Sequence, residues 1–157
     1  MSMYCKINTI NGNVTAKGFE NQIELKSFHI GAARAVSMDT GNGCNRDIGA
    51  TQFFPAEIIK PVDNATTHFF DAITKRESLP QVIITKTKTD SSLSPIVQYT
   101  LHDVHIVSTQ TIMDDDDEHP FETIKLAYQA LETKVFATGK ASSPMSSGYK
   151  IAEAEKM

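Results

Sequence analysis

The chain of 157 residues carries 15 Lys and Arg against 19 Asp and Glu, a formal net charge of −4. That balance argues against nucleic acid as a partner, because such binding needs clustered cations to neutralise phosphates, and no apolar run approaches the roughly 18 residues that span a bilayer, so no membrane insertion is expected. The length fits one domain over residues 1–157 with a real core, and with 40% apolar residues and no Trp that core must rest on Phe, Ile, Leu, Val and Met.

In chain order, Met1 to Asn8 shows no basic region followed by an apolar stretch, the mark of a Sec-type signal. The product is therefore expected to be cytoplasmic when synthesised, with any secretion following a signal-peptide-independent route. Cys5 and Cys44 lie too far apart for a CxxC motif and read as two unrelated thiols. Tyr4 to Ile10 predicts a first strand, closed by the turn signal Asn11-Gly12-Asn13. Gln22 to Val36 predicts a longer second strand. Ile23 and Leu25 share one face, then Phe28 and Ile30 take the opposite phase, as a β-bulge produces. Met38 to Gly49 holds three glycines, two asparagines and two aspartates, which predicts a mobile or extended loop, of a length that is usually functional or disordered. Thr51 to Ile59 predicts a third strand, kept short by Pro55.

Asp63 to Glu77 carries the helical signal. Pro61 places the start after it, and Asp63, Asn64 or Thr66 can cap the first turn. Ala65, Phe69, Ala72 and Ile73 form one apolar stripe, with Phe70 one residue off it and His68 a polar residue beside it. Asp63 at the start and Lys75 and Arg76 near the end match the helix dipole. Pro80 forbids continuation. The helix reads as a brace whose structural face is Phe69, Ala72 and Ile73.

Beyond it, Gln81 to Lys88 alternates, with Val82, Ile84, Lys86 and Lys88 on one face, and Asp90-Ser91-Ser92 is a turn. Ile96 to Ser108 predicts a long strand with Val97, Tyr99 and Leu101 in one phase and Val104 and Ile106 in the other, which places a bulge near His102 and Asp103. Asp114 to Glu118 is a solvated acidic run. Phe121 to Phe136 stays open: Phe121, Ile124, Tyr128, Leu131 and Val135 make a helical stripe, whereas Ile124, Leu126, Tyr128 and Ala130 make a period-two face. Composition leans towards helix. Gly139 to Gly148 is rich in Ser, Gly and Pro, and residues 152–157 form a polar tail.

Chemistry is sparse. His102 and His105 would point to opposite faces of a strand and cannot share a zinc. The acidic run lacks the glycine and glutamate of an EF-hand loop. No Gly-x-Ser-x-Gly elbow is present, and Gly41-Asn42-Gly43 lacks the Lys-Ser/Thr ending of a phosphate loop. Nothing local supports Cys44 as a nucleophile. With no catalytic constellation, no metal site and no cofactor signature, the expectation is a structural or binding protein and no enzyme.

Six segments, taken in order, carry a resemblance: Lys6-Ile7 before a glycine turn; Ile23-Glu24-Leu25; Phe53-Phe54 leading to Ile59-Lys60-Pro61-Val62-Asp63-Asn64-Ala65-Thr66; Tyr99 to Ile106; Glu122-Thr123-Ile124-Lys125-Leu126-Ala127-Tyr128; and Ser147-Gly148-Tyr149-Lys150-Ile151. Their order over residues 4–151 resembles the hemolysin-coregulated protein (Hcp) family of type VI secretion. The closing strand carries its aromatic as Tyr149, and the tail beyond it is charged. The resemblance implies a mainly β fold: a two-sheet β-barrel with one flanking α-helix and an extended loop, assembling as a hexameric ring. Rings would stack into an exported tube that carries effectors in its lumen, with a contractile sheath and a spike protein as partners. It also implies that Met38, Asp39, Gly41, Asn42, Gly43 and Arg46 belong to a loop reaching the adjacent ring, and that 121–136 is strand. Two other readings stand beside it: a monomeric β-barrel module for a small apolar ligand, and a hydrolase using Cys44 and a histidine.

Overall fold

A computed structural model describes residues 1–38, 40–41, 48–89, 92–116, 118–136 and 144–157. In chain order the elements are β1 (Ser2–Ile7), β2 (Ile23–Glu24), β3 (Ser27–His29), β4 (Ala32–Ala33), β5 (Gln52–Phe53), β6 (Ala56–Pro61), α1 (Ala65–Thr74), β7 (Ser78–Thr89), β8 (Leu93–Ile112), β9 (Phe121–Ala127), β10 (Ala130–Val135), β11 (Met145–Lys150) and β12 (Glu155–Lys156). The fold is mainly β with one helix among the described residues.

The 20-residue β8 is the spine. One edge pairs with β7, from Thr89↔Leu93 to Ser78↔His105. The other edge pairs first with β10, over Val97 to His102, and then with β9, from His105 to Ile112. The phase change expected near His102 and Asp103 marks this exchange of partners. Leu101 and Val104, three residues apart, are both fully buried, and Asp103 between them adopts a left-handed φ of 50°. The ladder's register shifts lie elsewhere, between Lys86 and Thr87 against β8 and between Ile106 and Ser108 against β9.

The second predicted strand, Gln22 to Val36, is broken into β2, β3 and β4, and its phase change has a related cause. Leu25 N–H donates to Met3 C=O at 2.9 Å, whereas Lys26 N–H donates to Ile59 C=O at 2.8 Å. The chain leaves β1 and joins β6 within one residue, and the alternation changes phase across the break between β2 and β3, where the backbone bends at Lys26.

Residues 121–136 form β9 and β10, which corrects the lean towards helix. Glu122, Ile124 and Leu126 alternate inward and face Lys60, Ile58 and Ala56 of β6. Burying Ile124 and Leu126 is worth about 1.5–3 kcal/mol each, against helix-propensity differences of a few tenths per residue. Tertiary pairing wins.

The strand order β12-β11-β10-β8-β7-β1-β2, with β9, β6 and β3 branching from β8, describes one open, branched ten-stranded sheet. The expected mainly β fold is present, but these sheets are not closed into a barrel. The core gathers Cys5, Ile7, Ile23, Ile58, Val82, Leu101, Ile124 and Leu126, with Phe69 of α1 among them. Burial pushes the Cys5 thiol up to about 12 against the opposing pull of Lys60, so it stays neutral and behaves as a small apolar residue.

The helix is shorter than the predicted 63–77. Its start is a reciprocal cap. The Asp63 carboxylate accepts from Ala65 N–H at 2.9 Å, and the Thr66 hydroxyl accepts from Asp63 N–H at 3.1 Å. At the other end Glu77 N–H reaches Ala72 C=O at 2.9 Å across Arg76, whose φ is 56°. That is the left-handed position where glycine ordinarily closes a helix. Arg76→Gly is therefore expected to raise stability by about 0.5–1 kcal/mol, the relief of left-handed strain less the added entropy of the unfolded chain, read as a higher urea midpoint.

Candidate functional site

Between Gly31 and Phe54 the chain leaves the main sheet as a two-stranded ribbon. Phe54 N–H donates to Gly31 C=O at 2.9 Å, and Ala32↔Phe53 and Ala33↔Gln52 pair β4 with β5. Gly49 N–H donates to Ala35 C=O at 2.8 Å, and Val36 bridges Ile48. Pro55 has no N–H to extend a ladder, so it separates the ribbon from β6.

An isolated two-stranded ribbon is marginally stable in water and leaves unpaired edges. This one is also apolar on the outside: Val36 is 40% exposed, Ile48 61%, Phe54 50% and Met38 86%. Such a projecting apolar surface is what an assembly contact presents. Of the loop residues expected to reach a neighbour, Met38 lies exposed near the far end of the stem, and Gly41 takes a φ of +88° that only glycine adopts freely. Asp39, Asn42, Gly43 and Arg46 lie outside the described residues, as does Cys44.

On the helix, Phe69 and Ala72 are buried, Ile73 is half-buried and Phe70 is 61% exposed. Beneath its first turn sits a charged cluster that sequence reasoning missed. The Lys60 ammonium lies 2.6 Å from Glu122 Oε1 and 2.6 Å from Asp63 Oδ1, and donates to Pro61 C=O at 2.9 Å. The Thr66 hydroxyl donates to Glu122 Oε1 at 3.0 Å. Glu122 Oε2 is buried and finds no hydrogen-bond partner among the described residues. The Lys60 and Glu122 side chains are both wholly buried.

The signal was present in the alternation. Lys60 continues the inward phase of Ala56 and Ile58, and Glu122 that of Ile124 and Leu126, so two opposite charges end two facing apolar rows. His102 pairs with Glu132 across the β8–β10 ladder at 3.1 Å, while His105 is exposed. The two histidines are not brought together.

The family model described as type VI secretion system effector, Hcp, matches residues 4–135. Among solved structures, a type six secretion system protein is similar with a TM-score of 0.92 at 19% identity, over 99% of each chain. Hcp1 from Salmonella typhimurium has a TM-score of 0.83 at 18% identity, over 99% of this chain and 98% of that one. Hcp2 from Salmonella typhimurium has a TM-score of 0.75 at 16% identity, over 99% of both. A search of curated protein sequences finds no match. The structural likenesses speak to fold; the family match spans most of the sequence, and on that ground this chain belongs to the Hcp family of type VI secretion system effectors.

Proposed function

We propose that this chain is a structural subunit of a type VI secretion tube: six copies close a ring, rings stack head to tail, and the lumen carries effectors. In this reading the main sheet forms the wall of the tube, a contractile sheath and a spike protein are the partners, and the machine itself exports the tube. No catalytic step and no cofactor is assigned to the chain. The observation that supports it most is the ribbon: an exposed apolar projection from the sheet costs stability in a monomer and is useful only against another surface. Contacts that close by rotation make rings, and head-to-tail contacts that do not close make filaments.

The purified chain is expected to sediment as a particle of about six times the 17.3 kDa of one copy. A strictly monomeric protein at high micromolar concentration overturns the proposal, and a monomer that co-purifies with an apolar ligand would favour the binding-module reading instead. Deleting residues 41–46 is expected to leave the isolated ring intact and to raise the concentration needed for stacking by about tenfold or more, about 1.4 kcal/mol. Equal loss of ring and stack would make the loop part of the ring contact.

A further inference from the structure

We propose that Tyr128 and Tyr149 are positioning residues that set the angle at which the ribbon leaves the sheet, and so its reach towards a neighbouring ring; the inference rests on the stacking role proposed above. The ribbon joins the sheet through two backbone segments, Ile30-Gly31 and Phe54-Pro55. The proline contributes no hydrogen bond there. Two covalent connections through such a narrow root leave a hinge unless side chains brace it.

Two contacts do so, and both come from the far half of the sheet. The Tyr128 hydroxyl, at the corner between β9 and β10, donates to Phe54 C=O at 3.0 Å. That side chain is 8% exposed, and burial raises its phenol, which keeps the donor proton in place. The Tyr149 ring on β11 stacks on the Phe53 ring, with centroids 5.2 Å apart and planes 26° apart. Tyr149 is held in turn by its ladder partner Leu131, and Leu131 by the fully buried Leu101 of β8.

The two contacts meet the ribbon at neighbouring residues but at different groups. One takes a backbone carbonyl and the other a side chain. A single tether would leave the ribbon free to swing about it, whereas two tethers in different directions determine both tilt and roll. Ile151 adds to the same corner, its N–H donating to Gln129 C=O at 2.7 Å while its side chain packs against the core. The closing strand of the fold is thereby coupled to the root of the ribbon, although the two are about a hundred residues apart in sequence.

The test compares the parent with Tyr149→Ala, Tyr128→Phe and the conservative Tyr149→Phe, using amide hydrogen exchange and tube length by negative-stain microscopy. Exchange at Phe54 and Gly49, whose N–H groups close the ribbon stem, is expected to speed up by about threefold to tenfold in Tyr149→Ala and Tyr128→Phe. Tyr149→Phe keeps the ring stack and is expected to restore parental exchange. Ring mass should not change, while tubes of the first two variants should be shorter. Parental exchange in both of those variants overturns the inference, as does equal acceleration in Tyr149→Phe and Tyr149→Ala. If the parent forms rings that never stack, the tube reading fails, and the exchange comparison alone then decides the bracing role. Should Tyr149→Ala not fold, Tyr128→Phe decides it, because only one oxygen is removed.

Discussion

Lys60→Met is expected to lower the free energy of unfolding by about 3–5 kcal/mol, a large share of the 5–15 kcal/mol that holds an ordinary domain together. The side chain keeps its apolar stem, so little packing is lost. What changes is charge. Lys60 faces two carboxylates, with Glu122 wholly buried and Asp63 10% exposed. Its ammonium has three protons, and Glu122, Asp63 and Pro61 C=O supply three acceptors. Without it, Asp63 keeps only the Ala65 N–H and Glu122 only the Thr66 hydroxyl, and Glu122 is a buried anion with no cation beside it. The converse change, Glu122→Leu, is expected to cost less, because Asp63 still holds the ammonium at 2.6 Å. Lys60→Met with Glu122→Leu should recover most of the loss, since an apolar pair of similar volume replaces a pair that was costly to desolvate. Urea denaturation of the four proteins forms a double-mutant cycle. A single-variant loss below 1 kcal/mol would show that the ion pair is solvated in solution.

This pair also contributes something the apolar ladder cannot. Ala56↔Leu126 and Ile58↔Ile124 would tolerate a slip of two residues, because either apolar side chain can face another. The same slip would set Lys60 against Ile124. Register between β6 and β9 is thus specified by the charges at their ends, and α1 is tied to the same point through Asp63 and Thr66.

How far the sequence could be read depended on whether the cause was local. The helix was legible because Pro61, the Asp63–Thr66 cap and the Ala65, Phe69, Ala72 stripe all act within a few turns. The phase changes at Leu25 and His102 were visible too, but their meaning was not. A flip of alternation looks alike whether a residue is inserted or a strand exchanges neighbours, and only the pairing of Lys26 with Ile59 and of His105 with Ala127 separates the two. Residues 121–136 carry both periodicities, and the choice was made by β6 and β8, elements some distance away in sequence. Lys60 and Glu122 were each legible as inward-phased charges but not as a pair, since nothing in the two segments alone says that they face each other. Tyr128 and Tyr149 were missed as ribbon contacts for the same reason: their partners, Phe54 and Phe53, lie 74 and 96 residues away. The ribbon's two arms fell inside the predicted strands Gln22 to Val36 and Thr51 to Ile59, with Met38 to Gly49 as the loop between them. That the arms separate from those strands and pair with each other was not legible, because β4 and β5 are two residues each and too short to leave a pattern.

Phe69→Ala is expected to cost about 3–5 kcal/mol in the same denaturation assay. Phe69 is wholly buried within the core cluster, so removing its ring leaves a cavity that the sheet beneath cannot close, β8 being held on both edges. The neighbouring Phe70→Ala serves as the internal control. That ring is 61% exposed, so its removal should change stability by no more than about 0.5 kcal/mol. The contrast between adjacent phenylalanines isolates packing from helix propensity, which the two substitutions alter equally. Ile73, half-buried on the same face, should fall between them. If Phe69→Ala costs less than about 1 kcal/mol, the helix lies loosely on the sheet and is held by the charged cluster at its first turn. Losses near 4 kcal/mol in both Phe69→Ala and Lys60→Met would instead mean that the helix is fastened twice, by an apolar contact along its face and an ionic one at its start.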